Sequence, residues 1–154
     1  MYFSVELQSQ LNFMKGVEMA TLTEFDQNVV ERIKEQIAFD KDKTELANVD
    51  LEKALELVKN AEAILLDVRP PAKVNGENAQ EADIPSAYYT PYTEFTNYLD
   101  ILPNDKTEPI VVACLKGLFA SRVKGYLQTL GYENVYVFTG NIDDWITAHK
   151  AHGK

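Results

Sequence analysis

Hydrophobic and polar positions follow two different patterns along this chain, and the pattern changes near residue 45. Before that point apolar side chains recur in steps of three and four, at Leu7, Leu11 and Met14 and then at Leu22, Phe25, Val29, Ile33 and Ile37. This spacing predicts two helices with one apolar face each, separated near Gly16, the second starting at a capping pair formed by Thr21 and Glu24. We therefore expect a helical extension over residues 1–45. Its apolar stripe is usually a packing face, and a homodimer contact through residues 1–40 is the alternative.

From residue 46 onward, short apolar runs without alternation are separated by helical patterns. The runs are Ile64–Leu66, Pro109–Ala113 and Val135–Phe138, and the helical patterns cover 51–58, 92–102, 121–130 and 142–146. Asp50 suits an N-cap, and Gly131 suits a left-handed helix end. Continuous apolar strands with helices between them predict an α/β domain over residues 46–154, in which a parallel β-sheet is flanked by helices on both faces.

Ligands of such sheets bind beyond the carboxyl ends of the strands, where loops turn into helices. Three segments fall there: 67–69, 114–120 and 138–141. The second begins with Cys114, the single cysteine of the chain, so no internal disulfide can form. We take the loop 114–120 as the candidate site.

The residues after Cys114 predict a cradle for an ionised sulfur. Gly117 permits positive φ, so the chain can curl back around the thiol. The helix that follows directs unpaired N–H groups and its positive dipole end into the curl, which favours a thiolate and an anionic donor. Lys116 adds positive charge. The plain alternative is a small buried hydrophobe, but the glycine turn and the helix start favour a nucleophile.

The net charge of the chain limits which classes of ligand and partner it can bind. The formal charge is −9, which argues against nucleic-acid binding. Residues 1–100 hold 9 basic and 19 acidic side chains, whereas residues 101–154 hold 6 and 5, so the last third repels an anion least. No apolar run is long enough for a membrane span, and we expect no secretory signal and a cytoplasmic protein. His149 and His152, without a second cysteine, make a poor zinc site, and we expect a solvated tail there.

Four segments, in order, resemble the rhodanese (sulfurtransferase) family. They are Leu66–Arg69, the family's Leu-x-Asp-Val-Arg strand; Asp83–Ala87, a variant of its Gly-His-Ile-Pro-Gly-Ala motif; Pro109–Cys114, the strand entering the active loop; and Leu130–Trp145, its closing segment. The likeness covers roughly residues 50–150, with a long loop at 70–82.

The resemblance implies a sulfurtransferase. Cys114 would take a sulfane sulfur from a small anionic donor such as thiosulfate, and would pass it from a persulfide to a thiol, cyanide or a carrier protein. The surrounding loop would bind the substrate through Leu115, Lys116, Gly117, Leu118, Phe119 and Ala120, with Arg69 over the site. Asp67 and Gly140 would give structural support. No cofactor and no metal is implied.

The sequence departs from the family in the loop itself. Phe119 stands where many single-domain members have arginine, whereas Cys114, Lys116, Gly117 and Ala120 match the Cys-Arg-Lys-Gly-Val-Thr-Ala loop of the thiosulfate-using branch. Leu115 replaces that branch's arginine, which removes a charge-assisted contact worth about 1.5–3 kcal/mol. Asp83 replaces a histidine.

The sequence argues against a phosphatase. Phosphatases on this architecture need an arginine six residues after the cysteine, and this chain has Ala120 at that position. A non-catalytic interaction or redox-sensing module remains the alternative. A persulfide carrier with a protein donor lies between the two, because Leu115, Leu118 and Phe119 would line an apolar mouth.

Overall fold

The computed structural model describes residues 21–152, and the predicted helix of Leu7, Leu11 and Met14 lies outside them. The chain divides into two compact units, Met1–Glu35 and Gln36–Lys154. The domain boundary expected at residue 45 stays a prediction. Within residues 21–152 no helix is both long and apolar enough to cross a bilayer.

The first described helix, α1, runs over Glu24–Asp40. Its capping box starts two residues later than expected: the Asp26 amide donates to Thr23 Oγ1 at 3.1 Å, and the Thr23 amide donates to Asp26 Oδ2 at 2.8 Å. None of its residues is buried. The predicted stripe is exposed instead, at 73% for Phe25, 40% for Val29 and 46% for Ile33.

A five-stranded parallel sheet forms the centre of the second unit. The strands are β1 (Asn48–Val49), β2 (Ile64–Asp67), β3 (Ala87–Tyr89), β4 (Ile110–Cys114) and β5 (Val135–Asn141), and their order across the sheet is β1-β5-β4-β2-β3. Every pairing is parallel. The apolar run that predicted β4 is buried at all five positions.

Helices cover both faces of this sheet, which confirms the predicted fold class. On one face α2 (Leu51–Asn60) and α4 (Ile142–His152) pack against side chains such as Leu65, Val111 and Phe138. On the other, α3 (Leu118–Thr129) and a 3₁₀ helix (Tyr92–Ile101) pack against Leu66 and Val112. Cys114 lies on this second face.

Capping residues in the sequence predicted most of the helix ends correctly. Asp50 caps α2 by accepting the Lys53 amide at 2.9 Å, and Gly131 follows α3 with φ 99°. The helix expected at 92–102 is a 3₁₀ helix, broken at Glu94 and Tyr98, where φ is −119°. The tail expected around His149 is helical, since α4 continues to His152.

The turn before β1 was not expected from the sequence. Glu45, Leu46 and Ala47 all have positive φ, of 53°, 54° and 68°. Lys124 on α3 stabilises this left-handed turn, because its Nζ donates to the Leu46 carbonyl at 2.7 Å while pairing with Asp40 at 3.0 Å. Three consecutive left-handed residues cost about 1–2 kcal/mol each, and the contacts of Lys124 offset part of that cost.

Candidate active site

The candidate site begins where β4 ends. The register between β4 and β5 shifts at this point, so that Cys114 is paired with Asn141 instead of continuing the ladder. Gly117 then has φ 89°, in the left-handed region, and directly precedes α3. A Cβ on Gly117 would meet Val137 Cγ1 at 3.5 Å, which is ordinary contact. Conformation, not space, therefore requires glycine here.

Two main-chain amides point at the sulfur. The Gly117 amide donates to Cys114 Sγ at 3.1 Å and the Ala120 amide at 3.4 Å. Ala120 lies in the first turn of α3, so the sulfur also faces the positive end of that helix. Ser121 fixes the curl, since its hydroxyl and its amide both donate to the Gly117 carbonyl, at 2.7 and 2.8 Å.

The rim of the loop is mostly apolar. Leu118 is 71% exposed, and Phe119 is half-buried with its ring stacked on Tyr92 at 4.9 Å. Leu115 is half-buried, and Lys116 is exposed. Lys116 is the one charged side chain of the loop 114–120. These positions agree with an apolar mouth, and the binding of a substrate by these residues stays a prediction.

Cys114 itself has no exposed surface. A donor therefore reaches the sulfur only when the atoms that cover it shift. Burial of the cysteine was the plain alternative considered from the sequence, and it coexists here with the two amides that point at Sγ. The stacking of Phe119 on Tyr92 beside the loop could not be predicted, because these residues are far apart in the chain.

Arg69 was expected over the site and is instead fully buried in an ion-pair network. Its guanidinium donates to both oxygens of Asp67, at 2.9 and 2.7 Å, to Asp143 Oδ1 at 2.8 Å and to the Glu77 carbonyl at 3.3 Å. Burial alone lowers the pKa of Arg69, but the hydrogen bonds and charges of Asp67 and Asp143 outweigh it and raise that pKa. These contacts support a structural role for Arg69.

Asp67 anchors the long loop that follows β2. Besides the guanidinium it accepts the Ala79 amide at 3.0 Å and the Arg69 amide at 3.3 Å. This agrees with the scaffolding role expected for Asp67, because a buried carboxylate needs several partners. Asp143, the second carboxylate of the network, was missed. Only its position in the first turn of α4, after the carboxyl end of β5, could have pointed to it.

Position 140 requires glycine because there is no room for a side chain. A Cβ on this residue would lie 2.6 Å from Phe138 Cζ. The Phe138 ring is itself held edge-on against Trp145, with centroids 5.4 Å apart. Gly140 therefore supports the core under β5, beside the pairing partner of Cys114.

Thr90 is a second residue that the sequence did not indicate. Its side chain is fully buried, and Oγ1 has no hydrogen-bond partner among residues 21–152. Asp67 pairs with Tyr89 on one side and with Ala113 on the other. The next residues, Thr90 and Cys114, therefore flank Val68 at the carboxyl edge of the sheet. Within the same described part of the chain, no cluster of three or more His, Cys, Asp or Glu side chains could hold a metal ion.

Comparisons with known proteins agree with this geometry. Residues 50–148 match the protein-family model described as a rhodanese-like domain. A thiosulfate sulfurtransferase GlpE from Glaesserella parasuis serovar 5 (strain SH0165) is 26% identical over 95 residues, which cover 62% of this chain and 82% of the relative.

Two solved structures share the fold. Human single-domain sulfurtransferase TSTD1 has a TM-score of 0.50 at 20% identity, covering 66% of this chain and 96% of its own. The polysulfide-sulfur transferase homodimer from Wolinella succinogenes has a TM-score of 0.53 at 22% identity, covering 81% and 86%.

Proposed function

The chain belongs to the rhodanese-like domain family, and from that premise we propose that it is a sulfurtransferase working through a persulfide on Cys114. The observation that carries the proposal is the pair of amides, from Gly117 and Ala120, directed at Sγ at 3.1 and 3.4 Å. Donors pointing at a sulfur stabilise it as an anion, both as the attacking thiolate and as the persulfide.

The reaction proceeds in two displacements at sulfur. The Cys114 thiolate attacks the outer sulfur of a donor such as thiosulfate, the S–S bond of the donor breaks, and sulfite leaves with the bonding electron pair. The resulting persulfide anion then gives its terminal sulfur to cyanide or a thiolate, which regenerates the Cys114 thiolate. Atoms and charge balance without an external oxidant, and each step is easier than a single direct transfer.

Lys116 is the candidate for holding an anionic donor. It is the one charged side chain of the loop and it is exposed, so it is accessible to the oxygens of thiosulfate. The thiol of the single cysteine must stay reduced to act, which suits the reducing cytoplasm. We place the reaction there, with a small donor and with a thiol, cyanide or a carrier protein as acceptor.

Intact-protein mass spectrometry tests sulfur transfer directly. After incubation with thiosulfate, or with 3-mercaptopyruvate, the protein should gain the mass of one sulfur atom, and cyanide should remove it. Because the chain has one cysteine, the variant Cys114→Ser should gain nothing. Lys116→Ala should slow loading from thiosulfate by about one to two decades and should affect an uncharged donor less.

A non-catalytic interaction module is the second candidate, and the complete burial of Cys114 favours it. Under this alternative the wild-type protein gains no sulfur from either donor, whereas iodoacetamide still modifies Cys114 after denaturation. That pair of results would count against the enzyme.

We also propose that α1 contributes to a homodimer. Phe25, Val29 and Ile33 recur every four residues on α1 and are 73%, 40% and 46% exposed. A second copy would bury this stripe. Light scattering should give about twice the 17.4 kDa chain mass for the wild type. The variant Val29→Glu should be a monomer, because a dimer would bury the new charge without a partner, which is costly. A monomeric wild type would refute the dimer without touching the chemistry at Cys114.

A further inference from the structure

Thr90 carries a buried hydroxyl group that forms no hydrogen bond within residues 21–152. Its side chain has no exposed surface, and Oγ1 has no partner in that part of the chain. Burying a hydroxyl without a partner lowers stability, and natural proteins leave few such groups. Valine has nearly the same shape, so close packing alone does not require a threonine at this position. A polar group that is retained at a cost in stability is a candidate for binding a ligand.

The hydroxyl lies on the same face of the sheet as the reactive sulfur. Side chains along a strand alternate between the two faces. Tyr88 in β3 packs on the second face, against the buried cluster that contains Cys114. Thr90 follows two residues later and still belongs to the parallel ladder, because its amide donates to the Asp67 carbonyl at 2.9 Å. Its side chain therefore points to the second face, as that of Cys114 does.

One strand separates Thr90 from Cys114. Val68, directly after β2, lies between them in the same buried cluster, and its amide donates to the Ala113 carbonyl at 3.0 Å. Neighbouring strands lie about 4.8 Å apart, so the two side chains are roughly 10 Å apart. A sulfur poised for attack at about 3–3.5 Å and a hydrogen bond of about 3 Å leave roughly 4 Å of that separation. A small donor such as thiosulfate has about this length, so one molecule can contact the thiolate and the hydroxyl together.

The segments that follow the two residues are joined by a ring contact. Tyr92, two residues after Thr90, stacks on Phe119 in the loop after β4, with ring centroids 4.9 Å apart. Both rings pack on the buried cluster that contains Cys114. Cys114 and Thr90 have no exposed surface, so a donor reaches either group only when the atoms that cover it shift. A donor bound over the end of β2 on this face would meet the sulfur on one side and the hydroxyl on the other.

The surroundings of the hydroxyl determine what it binds. The buried cluster on this face consists of hydrophobic residues such as Leu66 and Phe95. In such surroundings an anionic oxygen is the strongest acceptor for a hydroxyl group. The amides of Gly117 and Ala120 are directed at the sulfur. The oxygens of an anionic donor therefore need hydrogen-bond donors elsewhere, and the Thr90 hydroxyl is one.

We propose that Thr90 is a substrate-binding residue whose hydroxyl donates a hydrogen bond to an oxygen at the anionic end of the sulfur donor. The proposal rests on the proposed function and adds a residue that binds the leaving part of the donor. The covalent step is unchanged: the Cys114 thiolate takes the outer sulfur, the S–S bond breaks, and sulfite leaves with the electron pair. Negative charge grows on the sulfite oxygens as this bond breaks. The hydrogen bond therefore strengthens in the transition state and speeds the loading of Cys114.

Two donors and two variants test this role. Thiosulfate carries oxygens, whereas inorganic polysulfide consists of sulfur alone, so a hydrogen bond to oxygen affects only the first donor. Intact-protein mass spectrometry at timed intervals gives the rate at which Cys114 gains sulfur from each. Thr90→Val removes the hydroxyl and should slow loading from thiosulfate by about one to two decades, with loading from polysulfide unchanged. Thr90→Ser keeps the hydroxyl and should retain most of the rate with thiosulfate.

Two controls separate this role from a structural one. Thr129→Val removes a hydroxyl at the other end of α3, where Oγ1 donates to the Gly125 carbonyl at 2.8 Å, and should leave both loading rates unchanged. Urea unfolding should find Thr90→Val at least as stable as the wild type, so that slower loading does not reflect unfolding. A loss of stability in Thr90→Val would reveal a partner for the hydroxyl within the fold and would overturn the proposal.

The remaining outcomes separate this proposal from the proposed function. Equal loading from thiosulfate by the wild type and Thr90→Val overturns the role of Thr90, and so does equal slowing with both donors or in both variants. A wild type that takes sulfur from polysulfide but not from thiosulfate also overturns it, while sulfur transfer through Cys114 stands. If neither donor adds sulfur to the wild type, the proposed function fails and the role of Thr90 falls with it.

Discussion

Replacement of Arg69 by methionine tests the buried ion-pair network. The guanidinium has no exposed surface and donates four hydrogen bonds: two to Asp67, one to Asp143 and one to the Glu77 carbonyl. Arg69→Met keeps a long apolar stem in the same space but leaves the buried Asp67 carboxylate without its cation. The perturbation is therefore a loss of charge pairing with little change of volume.

The expected loss of stability follows from the uncompensated charge. Four hydrogen bonds from a charged donor, three to carboxylates and one to a backbone carbonyl, at about 1.5–3 kcal/mol each would account for most of the total stability, because a domain of this size is stabilised by only about 5–15 kcal/mol. Removing Arg69 also relieves its own desolvation, so the contributions are not additive. Breaking a buried pair costs about 3–5 kcal/mol, and we expect that figure.

Urea unfolding followed by tryptophan fluorescence measures it. Trp145 is the single tryptophan, is 1% exposed and packs in the same unit. With a slope near 2 kcal/mol per molar urea, the midpoint should fall by about 2 M. Lys53→Met is the matched control, because the Lys53–Glu56 pair is about half exposed, at 48% and 55%, and is worth about 0.5 kcal/mol or less.

Two results would refute this reasoning. A loss below 1 kcal/mol in Arg69→Met, close to that of Lys53→Met, would show that the network contributes no net stability. A folded Arg69→Met variant that unfolds like the wild type but loads sulfur from thiosulfate far more slowly would restore the substrate-binding role expected from the sequence.

Three further changes have defined outcomes. Thr90→Val replaces a buried hydroxyl that has no partner among residues 21–152, so urea unfolding should show about 1–3 kcal/mol more stability; a loss of stability would reveal a partner for the hydroxyl. Asp50→Ala removes the N-cap of α2 and should cost about 1 kcal/mol in the same assay, with Asp50→Ser restoring most of it. Burial, and then the charge of Asp67, raises the pKa of Tyr89 above its ordinary value of 10.0, so the folded state keeps its proton longer than the unfolded chain does. The stability associated with Tyr89 is therefore complete below pH 10 and is lost as pH rises further, and Tyr89→Phe should flatten that part of a stability-versus-pH curve; an equal slope in both proteins would contradict the assignment.

Local chemistry in the sequence determined much of the second unit. Continuous apolar runs indicated β2, β4 and β5, since strands buried on both faces need no alternation. Asp50 and Gly131 marked helix ends because capping depends on residues within one turn. The four motif segments identified the family, which the match over residues 50–148 confirms. Cys114, Gly117 and Ala120 all lie within the segment 114–120. The loop that curls around the sulfur could therefore be predicted from the order of these residues.

The short strands, and the turn that depends on a distant side chain, could not be predicted from the sequence. β1 has two residues and β3 has three, too few for a periodic pattern. Each is stabilised by a neighbouring strand that is distant in the chain, β5 for the first and β2 for the second. The left-handed turn at 45–47 likewise depends on Lys124, whose Nζ donates to the Leu46 carbonyl although the two residues are 78 positions apart in the sequence.

The sequence by itself specified which residues meet within one turn, and so it placed a cysteine, a left-handed glycine and a helix start together. Only the tertiary structure decided which ring stacks on Phe119 beside that sulfur and which carboxylates surround Arg69. Phe119 meets Tyr92 across 27 residues, and Arg69 meets Asp143 across 74. Such contacts form because strands distant in the chain are hydrogen-bonded side by side. Their energy comes from burial and charge pairing, which no stretch of sequence contains alone.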